Sequence, residues 1–208
     1  VSRVTTVLIT GFGRFPGAPS NPSGPLALAL AKRRRPALAD VRRAVHVFET
    51  SYAAVDRDLP KLIAKHKPDI VLMFGLAART PYVRVETRAR NATSILFPDV
   101  TGFRPTDRAI APGKPTIRGA APFARLLGAA RATGTRSRMS RDAGRYLCNY
   151  VYWRALEASR SGTLAQFIHI PPVPRSPRRP GGKRRTSHAA LVRAGEAILL
   201  ALLAAHRH

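Results

Sequence analysis

Asp69-Ile70-Val71-Leu72-Met73-Phe74-Gly75 is an unbroken apolar run, rich in branched and aromatic side chains, that ends on glycine. An alternating run would mark a strand with one wet face. A continuous one of this length marks a strand covered on both faces, as in a parallel sheet between helices. Val4-Thr5-Thr6-Val7-Leu8-Ile9-Thr10 has the same character and also runs into a glycine, Gly11. Between the two, Val41 to Glu49 reads as a strand. A helix is predicted from Pro25 to Arg34, closed by Pro36. Another runs from Tyr52 to Lys65, with Val55, Leu59, Leu62 and Ile63 at helical spacing despite Pro60. Strand–helix alternation repeated three times predicts an α/β fold with a largely parallel sheet. In such folds sites gather beyond the carboxyl ends of the strands, where both glycine-bearing loops fall.

Further along, Tyr82 to Glu86 alternates, with Tyr82, Arg84 and Glu86 on one side and Val83 and Val85 on the other. Arg88 to Gly119 is irregular and rich in Pro, Gly and Arg. A connection of that length inside a compact domain is a functional or mobile loop. Ala121 to Ala132 reads as a helix, Thr135 to Met139 as a short strand, and Tyr150 to Ala158 as a helix. Leu164 to Ile170 reads as a strand stopped by Pro171-Pro172-Val173-Pro174, and about Ser187 to Ala205 as a terminal helix. The expected organisation is one domain over 1–208, with flexible loops at about 98–119 and 175–186.

The formal net charge is +25, and only six of the 36 cationic side chains are lysines. A strongly basic chain can bind nucleic acid. Abundant Arg, Ala, Pro and Gly together instead fit a compositional bias of the coding sequence. No nucleic-acid motif accompanies the charge, so binding beyond non-specific attraction is not expected. The sequence lacks the pattern of a signal peptide and any apolar run near the ~20 residues of a membrane span. With one cysteine and no internal disulfide, a cytoplasmic location is expected, without membrane attachment.

That cysteine, Cys148, follows the polar turn Ser140-Arg141-Asp142-Ala143-Gly144-Arg145 and stands where a helix begins. A thiol in a first helical turn sits at the positive end of the macrodipole, which favours the nucleophilic thiolate. Read alone, Cys148 is also consistent with a small buried hydrophobe. His169, at the end of an apolar strand before a proline turn, is either a base or a satisfied core histidine. Among the 11 acidic residues, Glu86 has an inner strand position. It could orient an imidazole or pair with an arginine at the surface. Thiolate, imidazole and an orienting carboxylate are the three groups a cysteine hydrolase needs. The histidines and lone cysteine show no metal-ligand spacing, so no metal is expected.

Four segments resemble the pyroglutamyl-peptidase I (pyrrolidone-carboxylate peptidase) family of cysteine peptidases, in order along nearly the whole chain. Gly11-Phe12-Gly13-Arg14-Phe15-Pro16-Gly17 with Asn21-Pro22-Ser23 is similar to the family's opening motif. Gly75-Leu76-Ala77 followed by Val85-Glu86 is similar to its glutamate segment. Ala143-Gly144-Arg145-Tyr146-Leu147-Cys148-Asn149 resembles its nucleophile motif, and Phe167-Ile168-His169-Ile170-Pro171 its histidine motif. The resemblance implies a single-domain α/β/α sandwich and release of an N-terminal 5-oxoproline from peptides without a cofactor. It implies Cys148, His169 and Glu86 as catalytic residues, and Phe12, Phe15, Tyr146 and Leu76 at the substrate. The expected partner is a peptide beginning with pyroglutamate, and homo-oligomerisation is compatible with it. Departures fall near the expected site. Leu96 stands where the family motif has arginine, Arg79-Thr80 where it has Gly-Arg, and Arg14 where it has proline. Those differences leave open a weakened enzyme or one acting on another small acyl group.

Overall fold

The computed structural model describes residues 4–15, 17–173 and 186–207; the 175–185 segment and Pro16 lie outside the described residues. A six-stranded sheet forms the middle layer, in the order β2-β1-β3-β8-β4-β7. Its strands are β1 (Thr5–Phe12), β2 (Val41–Phe48), β3 (Ile70–Leu76), β4 (Val83–Glu86), β7 (Ser137–Ser140) and β8 (Leu164–Ile170). All neighbouring pairs are parallel except β4 with β8, which run antiparallel. The mixed, largely parallel sheet expected from the sequence is therefore present.

Pleating divides the side chains into two cores, because successive residues of a strand point to opposite faces. Val7, Ile9, Leu72, Phe74, Val83, Val85 and Ile168 face one way, under α1 (Ser23–Ala31), α3 (Phe123–Ala132) and α5 (His188–His206). Leu8, Val71, Met73, Ala165 and Phe167 face the other, under α2 (Tyr52–His66) and α4 (Leu147–Ala158). The α5 helix is long and apolar enough to cross a membrane by composition. Here it is a core helix, with Leu191, Ala194, Ile198, Leu199, Leu202 and Leu203 buried in the first cluster.

The Asn21-Pro22-Ser23 segment fastens the loop after β1 to the start of α1. Ser23 Oγ accepts from Phe12 N at 3.0 Å and donates to Asn21 Oδ1 at 2.8 Å, while Asn21 Nδ2 donates to Gly13 O at 2.9 Å. A Cβ at Gly11 would lie 2.3 Å from Ser23 O, so only glycine permits this approach.

Two differences from the sequence reading matter for the site. The helix read from Tyr150 starts at Leu147, which puts Cys148 inside its first turn. The irregular 88–119 segment contains a short antiparallel ribbon, β5 (Arg88–Arg90) with β6 (Thr116–Arg118). Between the two strands Asn91 Oδ1 accepts from Ile110 N and Ala111 N, at 2.7 and 3.0 Å. Asp99 ties the loop to α2 by accepting from Tyr52 N at 3.0 Å.

On the opposite layer, Arg33 and Arg35 hold Glu196 of α5, with Nε–Oε1 distances of 3.0 Å each. The hydrogen bonds from Arg33 lead the effects that lower the Glu196 carboxyl to about 2, against the opposing effect of burial. Its folded pKa is below the unfolded value, so this stabilisation is complete above about pH 4.5 and lost as pH falls toward 2. Glu196→Gln should lower Tm at neutral pH and flatten the Tm profile over that acid window. Thermal unfolding of both proteins across pH 2–6 checks it.

Candidate active site

Which face of the sheet each residue occupies decides the site. On β8, His169 alternates with Ile168 and Ile170, so it shares the α2/α4 face with Phe167. On β4, Arg84 and Glu86 alternate with Val83 and Val85 and fall on that same face. Arg84 lies directly opposite His169 in the antiparallel register. The three expected catalytic residues thus come together although 62 residues separate Glu86 from Cys148 in the chain.

Glu86 is fully buried and its Oε1 lies 2.8 Å from His169 Nδ1. That engages one ring nitrogen and leaves Nε2 for the thiol; the imidazole is hydrogen-bonded to Cys148. The His169 ring also packs edge-on against Phe167, with centroids 4.9 Å apart. Burial alone would lower the pKa of His169. The charge and hydrogen bond of Cys148, followed by the hydrogen bond and charge of Glu86, outweigh it and lift the imidazole to about 9. The arrangement favours the imidazolium form of the ring.

Cys148 is half-buried and sits over the end of β3. A Cβ at Gly75 would stand 2.6 Å from Cys148 Sγ and 2.6 Å from Phe167 Cζ. Gly75, the penultimate residue of β3, is therefore the seat of the thiol. Tyr146 is the N-cap of α4 and offers no capping side chain, so its first-turn N–H groups face outward without one. The peptide N–H of Cys148 belongs to that set, a suitable donor for a developing oxyanion.

Several residues that hold the site together escaped the sequence reading. Arg84 Nε lies 3.0 Å from Glu86 Oε1, and its NH2 reaches Ser140 Oγ at 2.7 Å and the Asp142 carbonyl. The second carboxylate oxygen of Glu86, Oε2, has no partner among the described residues. Gln166 Nε2 and Tyr152 OH both donate to the Glu86 carbonyl, at 2.9 and 3.2 Å. Asn149, fully buried, exchanges hydrogen bonds with the Arg90 backbone at 2.8 Å each and donates to Ala92 O at 2.9 Å, fixing α4 against β5. A polar side chain next to a candidate nucleophile was the available signal for Asn149. Arg84 was visible only as part of an alternating strand.

The expected substrate residues lie at the carboxyl-end edge. Phe12 ends β1 and is buried, its ring 5.8 Å from that of Phe48. Leu76 ends β3, half-buried, but alternates with Gly75 onto the α1/α3/α5 face shared by Phe74 and Ile170, away from Cys148 and His169. The expected substrate contact at Leu76 is therefore not on the site's face. Phe15 is half-buried in a backbone bridge to Ala18. Tyr146, half-buried, donates its hydroxyl to Pro98 O at 2.8 Å and stands edge-on to Tyr52. Leu96 is 72% exposed and lines a groove of about 210 Å³ with Arg108 and Arg145, so two guanidinium groups border the place where the family arginine is missing. A second cleft, of about 310 Å³, opens at His169 between Ala77–Thr80, Arg84 and Asp142–Gly144.

A buried carboxylate holding an imidazole against a thiol at the rim of an α/β sheet is the arrangement of a cysteine hydrolase. Comparison makes the class specific: a pyroglutamyl peptidase family profile matches residues 5–200, and the chain belongs to that family. It is 34% identical over 169 residues to a pyrrolidone-carboxylate peptidase of Clavibacter michiganensis subsp. michiganensis, covering 80% of this chain and 78% of that one. A Gloeobacter violaceus pyrrolidone-carboxylate peptidase is 30% identical, with 93% and 94% covered. The solved pyrrolidone carboxyl peptidase of Thermococcus litoralis superposes with a TM-score of 0.83 at 28% identity, covering 96% of this chain and 94% of that one.

Two outcomes follow from the geometry. Gly75→Ala should displace the thiol and abolish alkylation of Cys148 at neutral pH, read by iodoacetamide labelling beside a Tm measurement that reports folding. Because His169 is raised above its unfolded value, its pairing stabilises the fold fully below about pH 6.5 and is lost as pH rises through about 9. The pH profile of kcat/KM should show its alkaline limb near 9.

Proposed function

We propose that the chain is a thiol exopeptidase that removes N-terminal pyroglutamate, with Cys148 as nucleophile, His169 as acid and then base, and Glu86 orienting His169. The single observation that carries the reading is the buried 2.8 Å contact of Glu86 with His169, whose ring in turn bonds Cys148. The names of the relatives support the substrate, as do Phe12 and Tyr146 packed on the α2/α4 face that carries Cys148, since a small, flat, uncharged ring needs an apolar site with few polar contacts.

In the reaction, the Cys148 thiolate adds to the pyroglutamyl carbonyl, and the oxyanion is met by the Cys148 N–H. The C–N bond breaks as His169 gives its proton to the leaving amine, which departs as the shortened peptide. Water then loses a proton to the neutral imidazole and attacks the thioester. The thiolate leaves, free 5-oxoproline is released, and His169 is again protonated. Glu86 keeps Nδ1 protonated and the ring aimed throughout. A cytoplasmic setting accords with this chemistry, because a reducing compartment preserves a lone reactive thiol.

Cationic side chains are spread over both helical layers, at Arg33 and Arg35 beside α5 and at Arg57 and Arg154 on α2 and α4. Such scatter favours the compositional origin of the charge over a nucleic-acid face.

Pyroglutamyl-aminomethylcoumarin should be hydrolysed and the prolyl analogue should not. Cys148→Ala should eliminate turnover, and Glu86→Gln should lower kcat by roughly 10²–10⁴-fold by spoiling the imidazole's charge and tautomer. Undiminished turnover in Cys148→Ala, or no turnover by a folded wild type, overturns the proposal.

A further inference from the structure

We infer that the cleft beside His169 receives the leaving peptide and selects an anionic side chain on the residue that follows pyroglutamate. This inference rests on the hydrolase reading above and names the substrate class within it.

Sheet order supplies the direction. Cys148 Sγ sits against Gly75 of β3. On one side of β3 lies β1, ending in Phe12; on the other lie β8 and then β4, with His169 and Arg84. Phe12, an apolar candidate for the acyl ring, and the imidazole therefore stand on opposite sides of the sulfur. An imidazole that protonates the leaving nitrogen must face the leaving group, so the departing peptide extends over β8 and β4. The space there is the cleft of about 310 Å³ that borders His169.

Charge in that cleft is one-sided. Arg79 and Arg84 line it, and Asp142 is its one carboxylate with exposed surface. Asp142 is already occupied: Oδ2 lies 3.4 Å from Arg90 NH1, and Oδ1 accepts from Gly144 N at 3.0 Å. Glu86, behind Arg84, is fully buried and committed to His169. Arg79 is exposed and has no carboxylate partner among the described residues. Other arginines do meet carboxylates, as Arg57 meets Asp58 and Arg207 meets Asp40. At the cleft an unpaired guanidinium faces the position that the first leaving residue would occupy. A carboxylate there is attracted, an ammonium repelled, and the difference is screened by salt.

The source of the anion distinguishes two substrate types, a side-chain carboxylate or the terminal carboxylate of a dipeptide. The test uses pyroglutamyl-Glu-Ala-amide, its Gln and Lys counterparts, and pyroglutamyl-Ala as free acid and as amide. The inference expects kcat/KM for Glu to exceed that for Lys by about tenfold at low salt, with Gln between them and the gap closing at high ionic strength. Arg79→Gln should shrink the Glu-to-Lys ratio, and Arg79→Glu should invert it. Preference only for the free dipeptide acid, equal rates for Glu and Lys, or a ratio unchanged in both Arg79 variants overturns the inference while leaving the hydrolase reading intact. Failure to cleave even pyroglutamyl-Gln-Ala-amide and pyroglutamyl-aminomethylcoumarin would overturn the hydrolase reading itself, and this inference with it.

Discussion

The contact between Glu86 Oε1 and His169 Nδ1, 2.8 Å long and closed to solvent, is the constraint on which the site depends. It exists because β4 joins β8 antiparallel in an otherwise parallel sheet. The register sets Arg84 opposite His169 and lets Glu86 reach the imidazole from the same face. A slip of one residue would turn Glu86 toward the α3/α5 core and replace it with Val85. Glu86 is held at the backbone too, through its carbonyl, by Gln166 and Tyr152. Those side chains belong to β8 and α4, the elements that carry His169 and Cys148. One set of contacts therefore fixes all three residues relative to each other.

Much of this could be read from the chain. Unbroken apolar runs located β1 and β3, and alternation put Glu86 and Arg84 on one side of β4 and the valines on the other. The hidden parts depend on partners remote in sequence. Strands β5 and β6 are three residues each, and β5 is two-thirds arginine, so no apolar pattern marks them. Their pairing spans the whole intervening loop. The start of α4 at Leu147, ahead of the expected Tyr150, is masked in the sequence by Asn149, a polar residue of low helix propensity. Its amide is in fact fully used by the backbone of Arg90 and Ala92. Arg84 carries no local signal, since Ser140 and Asp142 reach it only through the sheet.

The close fit at Gly75 shows why the fold and the chemistry share residues. A glycine next to last in a parallel strand leaves a gap in the side-chain layer at the strand's carboxyl end. Cys148 fills that gap with its sulfur, while Phe167 packs on the other flank. Helix α4 delivers the thiol with its uncapped first turn aimed at the same edge. The proposed oxyanion donor, nucleophile and proton carrier are thereby placed on regular elements, which hold geometry better than loops do. The departures from the family motifs, Leu96 and Arg79, fall on the surrounding loops instead.

Charge along the site alternates: Arg84 positive, Glu86 negative, His169 positive, Cys148 negative in the ion-pair form. Burying one such charge alone would be costly, whereas a chain of opposite neighbours offsets the loss of water. The alternation also gives the proposed reaction a direction. The thiolate is the largest of the influences that raise His169 against burial. Acylation turns that thiolate into a neutral thioester and removes the influence, so the imidazolium becomes a stronger acid at the moment the leaving nitrogen needs a proton. Hydrolysis of the thioester regenerates the thiolate, and with it the high proton affinity of the ring. Arg84 remains beside Glu86 when His169 is neutral. The arginine thus gives the orienting carboxylate a cationic neighbour through the half of the cycle in which its imidazolium partner is absent.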